Sequence, residues 1–226
     1  MVRIYIVSPN LSSGIRRLYS VGAMTTDHDF SFSGGALCLD FANTCGDRPR
    51  RAEDRLSGPD DLVAWGAAAG LIGLDEADRF RREARADPAA AEARFASAVE
   101  IREAVYSVCS ALAAGRVPPR PELAILNGAL RDALPNLELG LRGDGCCWRW
   151  GDASSVTDRI LWPVVRSTAD LVTSDRACLI RECAGESCSW LFLASSRNPS
   201  RKWCSMSSCG NRVKARRHYA RTAASG

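Results

Sequence analysis

Residues 183–221 read CAGESCSWLFLASSRNPSRKWCSMSSCGNRVKARRHYAR. The stretch carries four cysteines in two equally spaced pairs, Cys183 with Cys188 and Cys204 with Cys209, fifteen residues apart. Four thiolates close a tetrahedral zinc site, and paired ligands let each chain segment grip the ion twice. Both gaps are four residues, the wide end of the roughly two-to-four range for such pairs. So short a segment could hardly stay folded without a staple, which favours metal over four buried free thiols. Thiols that release zinc on oxidation are a secondary reading. Trp190 to Ala194 and Arg201 to Trp203 are expected to form a hairpin across the intervening Ser-Ser-Arg-Asn-Pro-Ser turn. Gly210 suits a tight backbone approach to the metal, and Asn211 suits a helix N-cap. The expectation is a treble-clef or ribbon-like finger holding one structural zinc, its last thiolate kept deprotonated by the helix dipole.

Working outward, the other six cysteines lack ligand spacing. Cys178 could replace a ligand but reads as core of the preceding helix; Cys38, Cys45, Cys109 and the Cys146-Cys147 pair read as buried. The longest apolar run, Leu62 to Leu74, is too short to span a bilayer, and residues 1–23 do not read as a secretory signal. A cytoplasmic location is therefore expected, where ten cysteines argue against a disulfide framework. Net charge is +4 over 226 residues, unevenly spread. From Ser187 onward there are eight basic residues and no acid, while residues 24–186 carry all 26 acidic ones against 19 basic. An acidic body with a basic tail suits a negatively charged partner that meets only the tail.

Residues 1–23 show no useful period and read as a flexible leader or an over-extended start before Met24. Helices are expected from Pro59, with Leu62, Trp65 and Leu71 on its apolar side, and over Asp75–Ala86. Between Ala89 and Ala114, Phe95, Ala98, Val99, Val105, Val108, Cys109 and Leu112 fall on one face that only Arg102 interrupts. Another helix runs to Leu134. Leu137 to Trp150 predicts a β-hairpin turning at Gly143-Asp144-Gly145, with Trp148 and Trp150 facing the helices. Asp158 to about Ile180 predicts a last long helix, Pro163 being tolerated in its first turns. The fold class is thus mainly α with a β-hairpin. It divides into a helical domain over 24–178 and the finger with its basic helix over 179–226.

At SRNPSRKWCSMSSCGNR the chain resembles the CGNR zinc-finger family, whose signature stands here at Cys209-Gly210-Asn211-Arg212. GGALCLDFANT with the following PDDLVAWGAAAGL is similar to the ABATE domain that accompanies that finger in bacterial proteins. The resemblance covers about residues 33–221 and implies a stress-induced transcription regulator. Ala194 stands where it leads one to expect an aspartate.

Arg212, Lys214, Arg216, Arg217 and Arg221 follow the last ligand on one expected helix, and Arg201 and Lys202 add charge beside it. These seven residues suit phosphate contacts, and the helix suits a DNA major groove. The bland alternative is a solvated helix that balances the negative zinc–thiolate centre. RNA binding and a protein-interaction adaptor are the rival functions. Trp190, Trp203 and Tyr219 could stack on bases, though the finger's core explains them better. Asp40 and Asn43 interrupt an apolar run. They either face a pocket for a small-molecule effector, or cap the next helix or hold the following Arg-Pro-Arg-Arg loop. An enzyme is not expected: there is no phosphate-binding or dinucleotide fingerprint, and neither His28 nor His218 provides a convincing base.

Overall fold

The structure is a computed structural model that describes residues 30–48, 53–153, 155–195, 198, 200–212 and 214–215. The leader expected over 1–23 lies outside the described residues, as do Arg216, Arg217, His218, Tyr219 and Arg221.

Among the described residues, six α-helices build the body: α1 (Leu37–Ala42), α2 (Pro59–Ala68), α3 (Leu74–Ala86), α4 (Pro88–Ala113), α5 (Arg120–Ala133) and α6 (Val156–Val172). Their starts follow local chemistry. Pro59 opens α2; the Asp87 carboxylate accepts from the Ala90 amide (3.0 Å) at the head of α4; the Ser155 hydroxyl accepts from the Asp158 amide (3.2 Å) at the head of α6. Short α1 is buried along most of its length, with Leu39 and Phe41 fully enclosed beside Trp65, Val105, Val108 and Ile160. No helix among the described residues is long and apolar enough to cross a membrane.

The described residues also form three two-stranded antiparallel sheets: β1 (Cys45–Gly46) with β2 (Glu53–Asp54), β3 (Leu137–Arg142) with β4 (Gly145–Trp150), and β5 (Ile180–Glu182) with β6 (Leu191–Leu193). The middle hairpin is the expected one, with Leu137 opposite Trp150 and Arg142 opposite Gly145. Its base packs on the helices through Trp150, whose ring centroid lies 5.8 Å from that of Trp162.

Several local expectations need correction. Pro163 is the eighth residue of α6, deeper than the first turns, so it withholds an amide from the Arg159 carbonyl; burial of Ile160, Val164 and Val165 keeps the helix intact. Trp148 does not join Trp150 in the core. It stays 42% exposed with the Arg166 guanidinium 5.1 Å from its ring. Cys146 and Cys178 are exposed, because one lies beside the hairpin turn and the other on a short 3-10 turn after α6. Arg102 does not spoil the α4 face but occupies it. It is fully buried, donating two 2.7 Å bonds to Asp54 and one of 2.9 Å to Glu103.

Candidate metal centre

The finger begins inside the body's core. Ile180 of β5 and Leu191 of β6 are fully buried in the same cluster as Leu39, Val105 and Ile160. Strand β6 pairs with β5, Ile180 opposite Leu193, so the expected arm over Arg201–Trp203 is not its partner. The apolar run after Trp190 finds its mate in Ile180-Arg181-Glu182, whose Ile180 is fully buried with it. Residues 201–203 reach this hairpin through one bond, from the Ala184 amide to the Lys202 carbonyl (2.9 Å).

This pairing sets the first two ligands. Cys183 follows β5 directly, Cys188 precedes β6 by two residues, and the turn between them is closed by the Cys188 amide on the Gly185 carbonyl (3.0 Å). A β-carbon on Gly185 would lie 3.3 Å from the Cys188 β-carbon and 3.4 Å from the Cys209 sulfur, so this glycine permits the close packing. Gly210, expected in that role, instead lies under the Met206 side chain. The second pair sits at a helix start. A π-type turn spans Met206–Gly210, and Asn211, Arg212, Lys214 and Ala215 have helical backbone. Asn211 is therefore inside the helix; Ser205, in extended conformation, precedes its first turn. The last ligand does stand in that first turn, as the treble-clef form of the expected finger requires.

The four sulfurs of Cys183, Cys188, Cys204 and Cys209 lie within 4.8 Å of one another. Separations of 3.8 Å (Cys188–Cys204) and 3.7 Å (Cys204–Cys209) match the edge of about 3.8 Å that a tetrahedron with Zn–S bonds of about 2.3 Å requires. All ten cysteines are free, so no disulfide competes for these sulfurs. Hydrogen bonds from the Cys188 and Cys204 thiols pull Cys183 far below the ordinary thiol range, and the same contacts push Cys188 and Cys204 upward. Sulfurs so close cannot all lose protons without a cation among them, and a divalent ion of thiolate preference supplies it. The donor set fits one structural zinc ion.

Around the sulfurs, donors converge. The Cys204 amide points at the Cys183 sulfur (3.4 Å) and the Arg212 guanidinium at the Cys209 sulfur (3.2 Å). Arg201 donates to the Trp203 carbonyl (2.8 Å) and the Cys204 carbonyl, and its guanidinium lies 4.3 Å from the Phe192 ring centroid. Two of the arginines expected at phosphates thus also brace the metal centre. Lys202 and Lys214 are exposed. Trp190 and Trp203 pack against the cluster of Cys183, Phe192, Cys204 and Cys209, the core role preferred for them.

Body residues hold this finger in place. The Asn43 amide donates to the Leu191 carbonyl and its oxygen accepts from the Leu191 amide, both at 2.8 Å. Asn43 thus grips the finger's strand, not the next helix or the arginine loop. Asp40 turns the other way and accepts from the Gly34 amide at 2.7 Å. Arg48, where the arginine loop begins, donates to the Ala42 and Cys45 carbonyls (2.6 and 2.8 Å), and the rest of that loop lies outside the described residues. Glu182 accepts from Tyr106 (2.9 Å) and Ser110 (2.8 Å), and the Arg48 amide donates to the Ser189 hydroxyl (3.2 Å). The contacts between body and finger were not legible, because each joins residues more than 70 positions apart.

Residues 180–222 match the CGNR zinc finger model. Residues 35–175 match the ABATE model, described as "Putative stress-induced transcription regulator". No curated protein matches the chain. With 141 of its 226 residues under one model and the four-sulfur centre under the other, the chain belongs to the ABATE family and carries a C-terminal CGNR zinc finger.

Proposed function

We propose that this protein is a cytoplasmic, non-enzymatic transcription regulator whose zinc finger binds DNA. The observation that carries the reading is the charge of the finger: eight basic residues and no acid from Ser187 to the end, on a frame that one metal ion organises. Lys202 and Lys214 are exposed on that frame, and Arg216, Arg217 and Arg221 follow in sequence. With Arg201 and Arg212 bonded within the finger, these five are the first candidates for phosphate.

The body is read as the sensing half. A groove of about 460 Å³ opens along α4 and α5, lined by Arg48, Glu103, Tyr106, Ser110 and Glu122 among others. Three of those side chains, Arg48, Tyr106 and Ser110, also hydrogen-bond the finger at Ser189 and Glu182. A small molecule in the groove would compete with or tighten those same contacts, which links an effector to the finger.

The test is fluorescence anisotropy of the zinc-loaded protein on duplex DNA across a salt series. Four to six phosphate contacts predict a log–log slope of about −4 to −5. Removing Arg217 and Arg221 together should flatten it by roughly two, and chelation should abolish binding. No binding at low salt would overturn the reading in favour of a protein-interaction adaptor, and tighter binding to single-stranded or duplex RNA would move the target to RNA.

A further inference from the structure

The β3–β4 hairpin leaves an apolar face unused. Leu137, Leu139 and Leu141 share that face with their partners Trp150, Trp148 and Cys146. Only its base is covered. Toward the tip, Leu139 is 67% exposed, Leu141 77% and Trp148 42%. Among the described residues no further strand pairs with β3.

Hydrogen-bond parity shows what the open edge offers. The Gly151 amide bonds the Asn136 carbonyl at 2.8 Å, so the alternate pairs Glu138–Arg149, Gly140–Cys147 and Arg142–Gly145 are those that bond across the hairpin. Leu137, Leu139 and Leu141 therefore aim their amides and carbonyls outward. An exposed apolar edge of this kind is a template for another strand.

We infer that β3 pairs antiparallel with β3 of a second copy of this chain, about a two-fold axis at Gly140, forming a dimer through a four-stranded sheet. The strand's own sequence, Leu-Glu-Leu-Gly-Leu-Arg, is complementary to itself in that register. Leu139 stands opposite the partner's Leu141, and both point their backbone groups toward each other. Glu138 stands opposite the partner's Arg142 in a non-bonded pair, where side chains approach most closely. Arg142 has no ionic partner of its own among the described residues, while Glu138 already accepts from Arg149 (2.9 Å) and keeps a second oxygen for another donor. A one-residue slip would oppose outward to inward backbone groups, and a two-residue slip would set Glu138 or Arg142 against Gly140, so the charge pair selects this register. The exposed leucines and Trp148 of both copies then form one continuous apolar surface. The proposal does not depend on nucleic-acid binding.

Sedimentation of the full zinc-loaded chain over a concentration series tests it. Wild type is expected to form a reversible dimer. Arg142→Glu alone and Glu138→Arg alone each place like charges opposite one another twice, and each should weaken the dimer by about tenfold or more. Mixing the two variants restores both opposite-charge pairs, so the mixture should dimerise where neither does alone. Leu141→Pro removes an outward amide without touching the bonds to β4, and should give a monomer with an unchanged circular dichroism spectrum. A wild type that stays monomeric up to its solubility limit would overturn the proposal. So would a dimer that none of these changes weakens.

Discussion

Asp40 shows how one residue couples burial to pH. Burial raises its carboxyl from the usual range to about 7, against the opposing hydrogen bond from the Gly34 amide. Between about pH 4 and 7 the folded chain keeps a proton that the unfolded chain has lost, so this residue's contribution is complete below pH 4 and lost by pH 7. Asp40→Asn keeps an acceptor for Gly34 but cannot ionise. The variant and wild type should be equally stable near pH 4, and the variant more stable at pH 8 by about 2–4 kcal/mol, read from urea midpoints. Equal stability at pH 8 would show that the carboxyl is not penalised. Asn43 is the opposite case. Leu191 is fully buried, so Asn43→Ala strands both its amide and its carbonyl; a loss of about 2–4 kcal/mol is expected by chemical denaturation.

Among the elements, α4 carries the most consequential departure from pattern. Its apolar face is interrupted by Arg102, which ties the helix to β2 through Asp54 with two 2.7 Å bonds. Burial pulls its proton affinity down, yet the bonds to Asp54 and the charges of Asp54 and Glu103 outweigh that and raise it. Arg102→Met should therefore destabilise by about 3 kcal/mol or more, because Asp54 loses two charge-assisted bonds and Glu103 one while partly buried, Glu103 keeping its pair with Arg48. Adding Asp54→Asn should recover part of that loss; no recovery would mean that packing, not charge, is what Arg102 supplies. The exposed elements set thiol chemistry in the same way. Cys146 and Cys178 should react rapidly with a thiol reagent, whereas burial pushes Cys38 up to about 11 and Cys109 well above the ordinary range, leaving both unreactive in the folded chain.

At the scale of the molecule, finger and body share a core. Ile180 and Leu191 belong to the cluster that contains Leu39 and Ile160, and four polar side chains of the body reach across to the finger. Zinc removal should consequently reach the body. Chelation, or Cys183→Ser, is expected to lower the midpoint of the helical transition, by about 2–4 °C for each kcal/mol of anchoring lost. A body transition that is identical with and without metal would show that the shared core tolerates an unfolded finger.

The sequence by itself determined α2 to α5, most of α6, the β3–β4 hairpin and the four metal ligands, while α1 and the end of α6 at Val172 were not legible. These depend on short-range regularities: apolar residues every third or fourth position, alternation across a turn, and paired thiols at one spacing. Tertiary structure alone decided that β6 pairs with β5, that Arg102 is a buried anchor, and that Asn43 grips Leu191. It also drew Arg201 and Arg212 toward the metal centre. Each of these joins a polar group or strand edge to a partner made available only when distant segments meet, and an unpaired polar group has no periodicity to reveal where its mate lies.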